Sequence, residues 1–126
     1  MDVADGLGRE TLAITSEPPG GVLELEETIG EGLIREVLEE TGLTVEPEAL
    51  AGVYKNMRRG IVALVFRCRV VDGQVGVSAE AAKVAWLSAE EVAERMDEAY
   101  ATRLLDALRP GPPAVRAHDG LMLLTR

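Results

Sequence analysis

The chain has 126 residues, 47% of them hydrophobic, which is enough for one domain with a single core, residues 1–126. Acidic residues outnumber basic ones by 22 to 13, and the net charge of −9 argues against nucleic-acid binding because it would repel a phosphate backbone. The single cysteine excludes an internal disulfide, and no apolar run approaches the ~20 residues that span a membrane. Since the N-terminus also lacks a signal-peptide pattern, we expect a cytoplasmic protein without a membrane partner.

The N-terminal third predicts short strands followed by one helix with clear ends. A strand is expected over 10–15, after a turn-like DGLG, with Val3 in a stub of a strand before it. Thr28 and Glu31 have the spacing of a capping box, and a glycine is placed where it would stop the helix. The helix is therefore predicted over roughly 29–41.

The downstream half predicts strands and a second helix. Segments 50–56 and 61–71 are rich in β-branched and aromatic residues and are separated by a short polar turn, which favours an antiparallel pair. Residues 83–88 read as another short strand. A helix is expected over 89–109 because its apolar residues recur every fourth position, and the segment after PGPP would form a final turn or strand.

Three carboxylates of the first helix lie close together. On a helix of 3.6 residues per turn, Glu36, Glu39 and Glu40 fall within an arc of about 100°. The apolar residues of the same helix are expected on the other side, in the core: Ile34, Val37 and Leu38. Such acids repel one another, so a hard divalent cation such as Mg²⁺ would compensate them and would bridge an acidic protein to a phosphorylated substrate. The alternative is a solvated helix face.

The segment from Gly21 to Leu43 resembles the Nudix hydrolase family. The family's box is G, five residues, E, seven residues, then R-E-U-x-E-E-x-G-U, where U is aliphatic. The chain fills every constrained position: Gly21, Glu27, Arg35, Glu36, Val37, Glu39, Glu40, Gly42 and Leu43. The resemblance implies an α/β fold, an α/β/α sandwich with a mixed β-sheet between helices. It also implies Mg²⁺-dependent hydrolysis of a pyrophosphate bond in a nucleoside diphosphate-linked substrate, NDP-X.

The same resemblance implies a metal site on the box helix. Glu36, Glu39 and Glu40 would bind Mg²⁺ or Mn²⁺, helped by the backbone carbonyl of Gly20. The metal would neutralise charge on the pyrophosphate, position the attacking water and lower the pKa of that water.

Roles for the remaining site residues also follow from the resemblance. Arg35 would pair with neighbouring acids, Glu27 first among them, and would orient them with its rigid guanidinium fork. A carboxylate would act as general base, with Glu36, Glu39 and Glu80 as candidates. For Glu80, an exposed loop glutamate is an equal interpretation.

Substrate contacts are expected outside the box. Lys55 and Arg58 belong to the densest basic cluster and could contact phosphates or a sugar, although a solvated turn explains them equally. Strand alternation places Arg67 and Arg69 on one face, either lining the cleft or, as we favour, edging the sheet in solvent. Two aromatic residues and the single histidine are interpreted as core or turn residues: Trp86, Tyr100 and His118.

The N-terminal strand region is shorter than the family pattern. Only 20 residues precede Gly21, so a strand could be missing and an edge of the sheet left unpaired. Pairing with a second copy, as a homodimer, is one way to cover such an edge, and a monomer by light scattering at micromolar concentration would count against it. The shortening also supports an alternative function, a catalytically weak or inactive Nudix-like domain that binds a nucleotide or metabolite as a sensor or interaction module.

Overall fold

The computed structural model describes residues 3–5, 11–16, 25–73 and 89–125. Within these ranges the strands are β1 (Val3–Asp5), β2 (Thr11–Ser16), β3 (Leu43–Asn56), β4 (Ile61–Gly73) and β5 (Ala114–His118). The helices are α1 (Ile29–Thr41), α2 (Ala89–Arg95) and α3 (Glu98–Ala107). The strand predicted over 83–88, with Trp86, lies outside the described residues.

The five strands form one mixed sheet in the order β1-β2-β4-β3-β5. Neighbouring strands are antiparallel except β5, which runs parallel to β3. The expected stub at the N-terminus is confirmed as β1, which pairs with β2 so that Val3 opposes Ile14. The expected antiparallel pair is confirmed as β3 and β4. Both strands are longer than predicted.

The extra length of β3 lies at its N-terminal end. The strand begins directly after α1, and Leu43 and Val45 are buried beneath that helix. Register shifts near Val45, Pro47 and Gly52 interrupt the pairing of β3 with β4. Consecutive exposed residues between these shifts also break the alternation of buried and exposed side chains by which a strand is recognised in a sequence. The sequence signal for β3 therefore starts only at its C-terminal half.

Helices cover both faces of the sheet, which confirms the α/β/α sandwich. On one face, residues of α1, β3 and β4 form a core cluster: Leu33, Val37, Leu43, Val45 and Cys68. On the other face, the cluster joins β3 and β4 to α2 and α3: Ala51, Tyr54, Val65, Val92, Ala101, Leu104 and Ala107. The predicted alternation along β4 is confirmed, because Val65 and Cys68 belong to opposite clusters.

The prediction of one continuous helix over 89–109 is wrong, because the segment forms two helices. α2 ends at Arg95, and α3 begins at Glu98. Between them Asp97 has φ −59° and ψ 148°, an extended backbone, and its carbonyl accepts the N–H groups of Tyr100 and Ala101. Asp favours such helix starts over helix interiors, whereas the four-residue apolar period continues across the break and conceals it.

The expected final turn or strand is β5, followed by a turn in which Leu124 N–H bonds back to Ala117. None of the helices in the described ranges is long and apolar enough to cross a membrane.

Candidate metal and catalytic site

Both ends of α1 are fixed by local hydrogen bonds. Thr28 Oγ1 accepts the N–H of Glu31 at 3.1 Å, and Glu31 Oε1 accepts the N–H of Thr28 at 3.0 Å, so the predicted capping box is present. The backbone hydrogen bond from Thr28 lowers the pKa of Glu31. At the other end Gly42 takes φ 82° and donates its N–H to Leu38 O. These caps set where each box side chain lies along the helix.

Arg35 contacts three acids of the box. Its Nε and Nη2 donate to both oxygens of Glu27 at 2.9 and 2.6 Å, which is the pairing expected from the sequence. Nη1 donates to Glu39 at 3.2 Å, and Nη2 lies 3.7 Å from Glu36 Oε1. Glu27 and Arg35 are 13% and 29% exposed, so solvent screens this pair only in part. The fork therefore holds Glu27 in a fixed geometry and faces the two helix acids.

The helix acids differ sharply in exposure. Glu36 is only 1% exposed, Glu40 is half-buried, and the Glu39 side chain is 59% exposed. A solvated helix face therefore does not describe Glu36. A buried carboxylate carries a desolvation cost that only nearby positive charge or donors offset.

The expectation that Leu38 lies in the core is wrong. Leu38 is 50% exposed, while Val37 is fully buried. The buried arc of α1 is rotated toward the acids and consists of Gly32, Leu33, Glu36, Val37 and Thr41. One member of this buried arc is a glutamate, which the spacing of apolar residues cannot indicate. The buried face predicted from apolar residues alone is therefore displaced by about one residue around the helix axis.

The donor set suits a hard divalent cation. Carboxylate oxygens are the ligands that Mg²⁺ and Mn²⁺ prefer, and α1 directs Glu36 and Glu40 toward the protein interior and its rim. Across 25–73 and 89–125, however, no three His, Cys, Asp or Glu side chains are grouped closely enough to hold a metal ion. Glu39 is bonded to Arg35 instead. The other two expected contributors, Gly20 and Glu80, lie outside the described residues.

Neither cation of the basic turn forms an ion pair with the α1 glutamates in the described part of the chain. Lys55 and Arg58 are exposed at the end of β3, and Arg58 N–H bonds to Asn56 Oδ1 within the turn. Lys55 is 12 residues beyond Leu43, where β3 leaves α1. At ~3.3 Å per residue a regular strand of that length covers roughly 40 Å, an upper bound because β3 contains register shifts, whereas the helix is ~20 Å long.

The two β4 arginines also lie away from α1. They alternate with Cys68, which packs under α1, so Arg67 and Arg69 face the opposite side of the sheet. Arg69 pairs with Glu46 at 2.5 Å, and both side chains are more than half exposed, so Arg69 faces solvent although β4 is the central strand of the sheet. Arg67 is half-buried, and its Nε has no hydrogen-bond partner in the described part of the chain.

A buried polar cluster that was not predicted from the sequence lies on the face of the sheet opposite α1 and consists of Tyr100, Arg103 and His118. His118, expected as a turn residue without a partner, is fully buried at the end of β5. Its Nε2 lies 3.0 Å from Arg103 Nη2, and its Nδ1 accepts the N–H of Gly120. Tyr100, expected in the core, is half-buried, with its ring centroid 4.8 Å from the Arg103 guanidinium. In the sequence, the feature that could have indicated this cluster is Arg103, which lies among the alanines of the buried face of α3.

Next to this cluster, the Asp106 carboxylate accepts hydrogen bonds from Tyr54 and Arg116. Tyr54 donates its hydroxyl to Asp106 Oδ2 at 2.7 Å. Arg116 donates Nε and Nη2 to the two carboxylate oxygens at 2.6 and 2.9 Å. Burial, reinforced by this hydrogen bond, raises the pKa of Tyr54. Tyr54 and Asp106 are 52 residues apart in sequence, so no local pattern could pair them.

Comparison with known proteins agrees with the box and the fold. The NUDIX domain model matches residues 7–108. A MutT-like protein of Streptomyces ambofaciens is 58% identical over 110 residues, which are 87% of this chain and 71% of that protein. An ADP-ribose pyrophosphatase of Methanocaldococcus jannaschii is 38% identical over 61 residues, which are 45% of this chain and 36% of that protein. Since the family model covers most of the sequence, the chain belongs to the Nudix hydrolase family.

Proposed function

We propose that this Nudix pyrophosphohydrolase cleaves the pyrophosphate bond of an NDP-X substrate with Mg²⁺ or Mn²⁺ bound at α1. The observation that carries the proposal is Glu36, a carboxylate that is 1% exposed on the helix and 3.7 Å from Arg35. In a protein of net charge −9, acids gathered on one helix repel one another and do not stabilise the fold, and a bound divalent cation would offset this repulsion.

The chain's own residues would divide the work. Glu36, Glu39 and Glu40 would hold the metal together with the carbonyl of Gly20, and Arg35 would keep the helix acids oriented through its contacts. The metal, when bound, supplies charge neutralisation on the pyrophosphate and acidifies the water.

In the reaction, the water oxygen forms a bond to one phosphorus and the bridging P–O bond breaks. The water proton passes to a carboxylate, for which Glu36, Glu39 and Glu80 are the candidates. Glu39 would serve after releasing Arg35, since the two are bonded at 3.2 Å. The archaeal relative named ADP-ribose pyrophosphatase makes ADP-ribose one substrate to test.

A second candidate function is a binding module that holds a nucleotide or metabolite without turnover. It is favoured by the ion pair that draws Glu39 toward Arg35 and by the lack of a grouped set of metal ligands within the described ranges. This module would still recognise a phosphorylated ligand.

The test is phosphate release, coupled through a phosphatase, from nucleoside triphosphates, ADP-ribose, NDP-sugars, dinucleoside polyphosphates and NADH. Each substrate is assayed with and without Mg²⁺ or Mn²⁺. We expect metal-dependent turnover that falls at least ~100-fold in Glu36→Gln and Glu40→Gln, as when a transition-state contact is removed. Glu94→Gln, an exposed position on α2, is the matched control and should keep full activity.

Silence across the panel from a folded protein that still binds Mn²⁺ would overturn the enzyme in favour of the binding module. Manganese binding is followed separately by the loss of its free-ion electron paramagnetic resonance signal. Turnover that persists without any metal would refute the role given to the glutamates.

A further inference from the structure

A cleft of about 220 Å³ lies between α3 and the segment that follows it, away from the box helix. Six residues line it: Thr102, Leu105, Asp106, Arg109, Arg116 and Leu123. Two arginines against one acid make this cleft locally positive, although the chain as a whole carries a net charge of −9. Nothing in the proposed hydrolysis uses these residues.

One of the two arginines is held rigidly. The Asp106 carboxylate receives three hydrogen bonds, two from Arg116 and one from Tyr54. Arg116 uses its Nε and Nη2 edge for this pair, and the Tyr54 hydroxyl is the other polar neighbour of the same guanidinium. The guanidinium is therefore fixed along one edge and keeps donors for another acceptor.

The support under this pair extends into the core. Tyr54 is fully buried, and a Cβ at Gly52 would lie only 2.5 Å from the Tyr54 hydroxyl oxygen. The ring thus occupies the space above Gly52, and its hydroxyl holds Asp106. Because Asp106 in turn fixes Arg116, the cleft wall is preorganised by buried packing and not by solvent-exposed contacts.

The second arginine completes the charge. Arg109 is exposed, and its backbone N–H donates to Asp106 O at 3.1 Å, whereas its guanidinium makes no ion pair or hydrogen bond within the described part of the chain. Thr102 adds a hydroxyl, while Leu105 and Leu123 give apolar walls. Pockets that hold drug-sized ligands measure ~300–1,000 Å³, so this smaller cleft suits a small anion. Guanidinium pairs match phosphate in charge and in geometry.

We propose that this cleft binds a phosphate group, as inorganic phosphate or as a phosphomonoester, through Arg109 and Arg116. The site is independent of the divalent metal and of the α1 glutamates. It lies on the side of the sheet that α3 covers, so a ligand here would act as an effector or a retained product and not as the reacting group.

The test is a titration of metal-free ¹⁵N-labelled protein in EDTA, at constant ionic strength, with inorganic phosphate in one arm and AMP in the other. We expect saturable amide shifts at Thr102 and Leu123. Arg109→Gln should weaken the affinity about fivefold or more, the loss of one charge-assisted contact. The control Arg95→Gln removes an equal charge from α2, where Arg95 lies beside Glu91, and should bind as the parent does.

The two titrations distinguish a site for inorganic phosphate from a site for a phosphomonoester. Saturation by both ligands assigns the phosphate alone, whereas saturation by AMP only assigns a phosphomonoester with its nucleoside. The proposal is overturned if neither ligand gives saturable shifts in the cleft. It is also overturned if the shifts gather at the basic turn around Arg58, or if Arg95→Gln weakens binding as much as Arg109→Gln. Since no metal is present, failure here leaves the hydrolase test untouched.

Discussion

Gly52→Ala tests how tightly the core is packed under Asp106. The added Cβ would lie 2.5 Å from Tyr54 Oη and 2.6 Å from Cε2, whereas ordinary contacts begin near 3.4 Å. The ring must therefore retreat by roughly 1 Å from a site where Tyr54 is fully buried. Such a shift would stretch or break the 2.7 Å hydrogen bond to Asp106.

The expected cost combines two effects. Overpacking a well-filled core costs about 1–3 kcal/mol. Losing a hydrogen bond to a charged acceptor costs about 1.5–3 kcal/mol, and the two losses overlap because they share one ring. We expect the free energy of unfolding to fall by roughly 2–4 kcal/mol in Gly52→Ala.

Urea denaturation followed by circular dichroism measures the change. Tyr54→Phe isolates the hydrogen-bond part, since it removes the hydroxyl and keeps the ring. Gly30→Ala is the control because, among the described residues, no atom outside its chain neighbours and its own helix backbone lies within 4 Å of the added Cβ, and its helical position predicts a gain of up to ~1 kcal/mol. If Gly52→Ala unfolds at the parent's urea midpoint, the close approach of Tyr54 is refuted.

Two further predictions concern the box and the core thiol. Arg35→Lys should destabilise the metal-free protein by about 1–2 kcal/mol, because one ammonium cannot donate to both oxygens of Glu27, and an unchanged urea midpoint would contradict this. Burial raises the pKa of Cys68 to about 12, so the folded state favours the neutral thiol. Stability present below about pH 9 should be lost as the pH rises toward 12, and Cys68→Ala should flatten that decline in pH-dependent melts. Equal slopes in both proteins would exclude the thiol as its cause.

The sequence determined what depends on neighbours a few positions apart. The capping box of Thr28 and Glu31 and the stop at Gly42 fix α1, because helix caps bond across three or four residues. The antiparallel pairing of β3 and β4 follows from two extended segments joined by a short turn. The contact of Arg35 with Glu27, eight residues apart, was implied by the resemblance of the box to the Nudix family.

The tertiary structure decided which side chains those elements bury and which distant residues meet. Glu36 is enclosed and Leu38 is exposed because the buried arc of α1 is set by the sheet beneath it, which apolar spacing within one helix cannot reveal. The contact of Tyr54 with Asp106 joins residues 52 apart, and only the parallel pairing of β5 with β3 brings Arg116 to the same carboxylate. Long-range contacts of this kind depend on chain topology, so the second polar cluster could not be found by reading along the sequence.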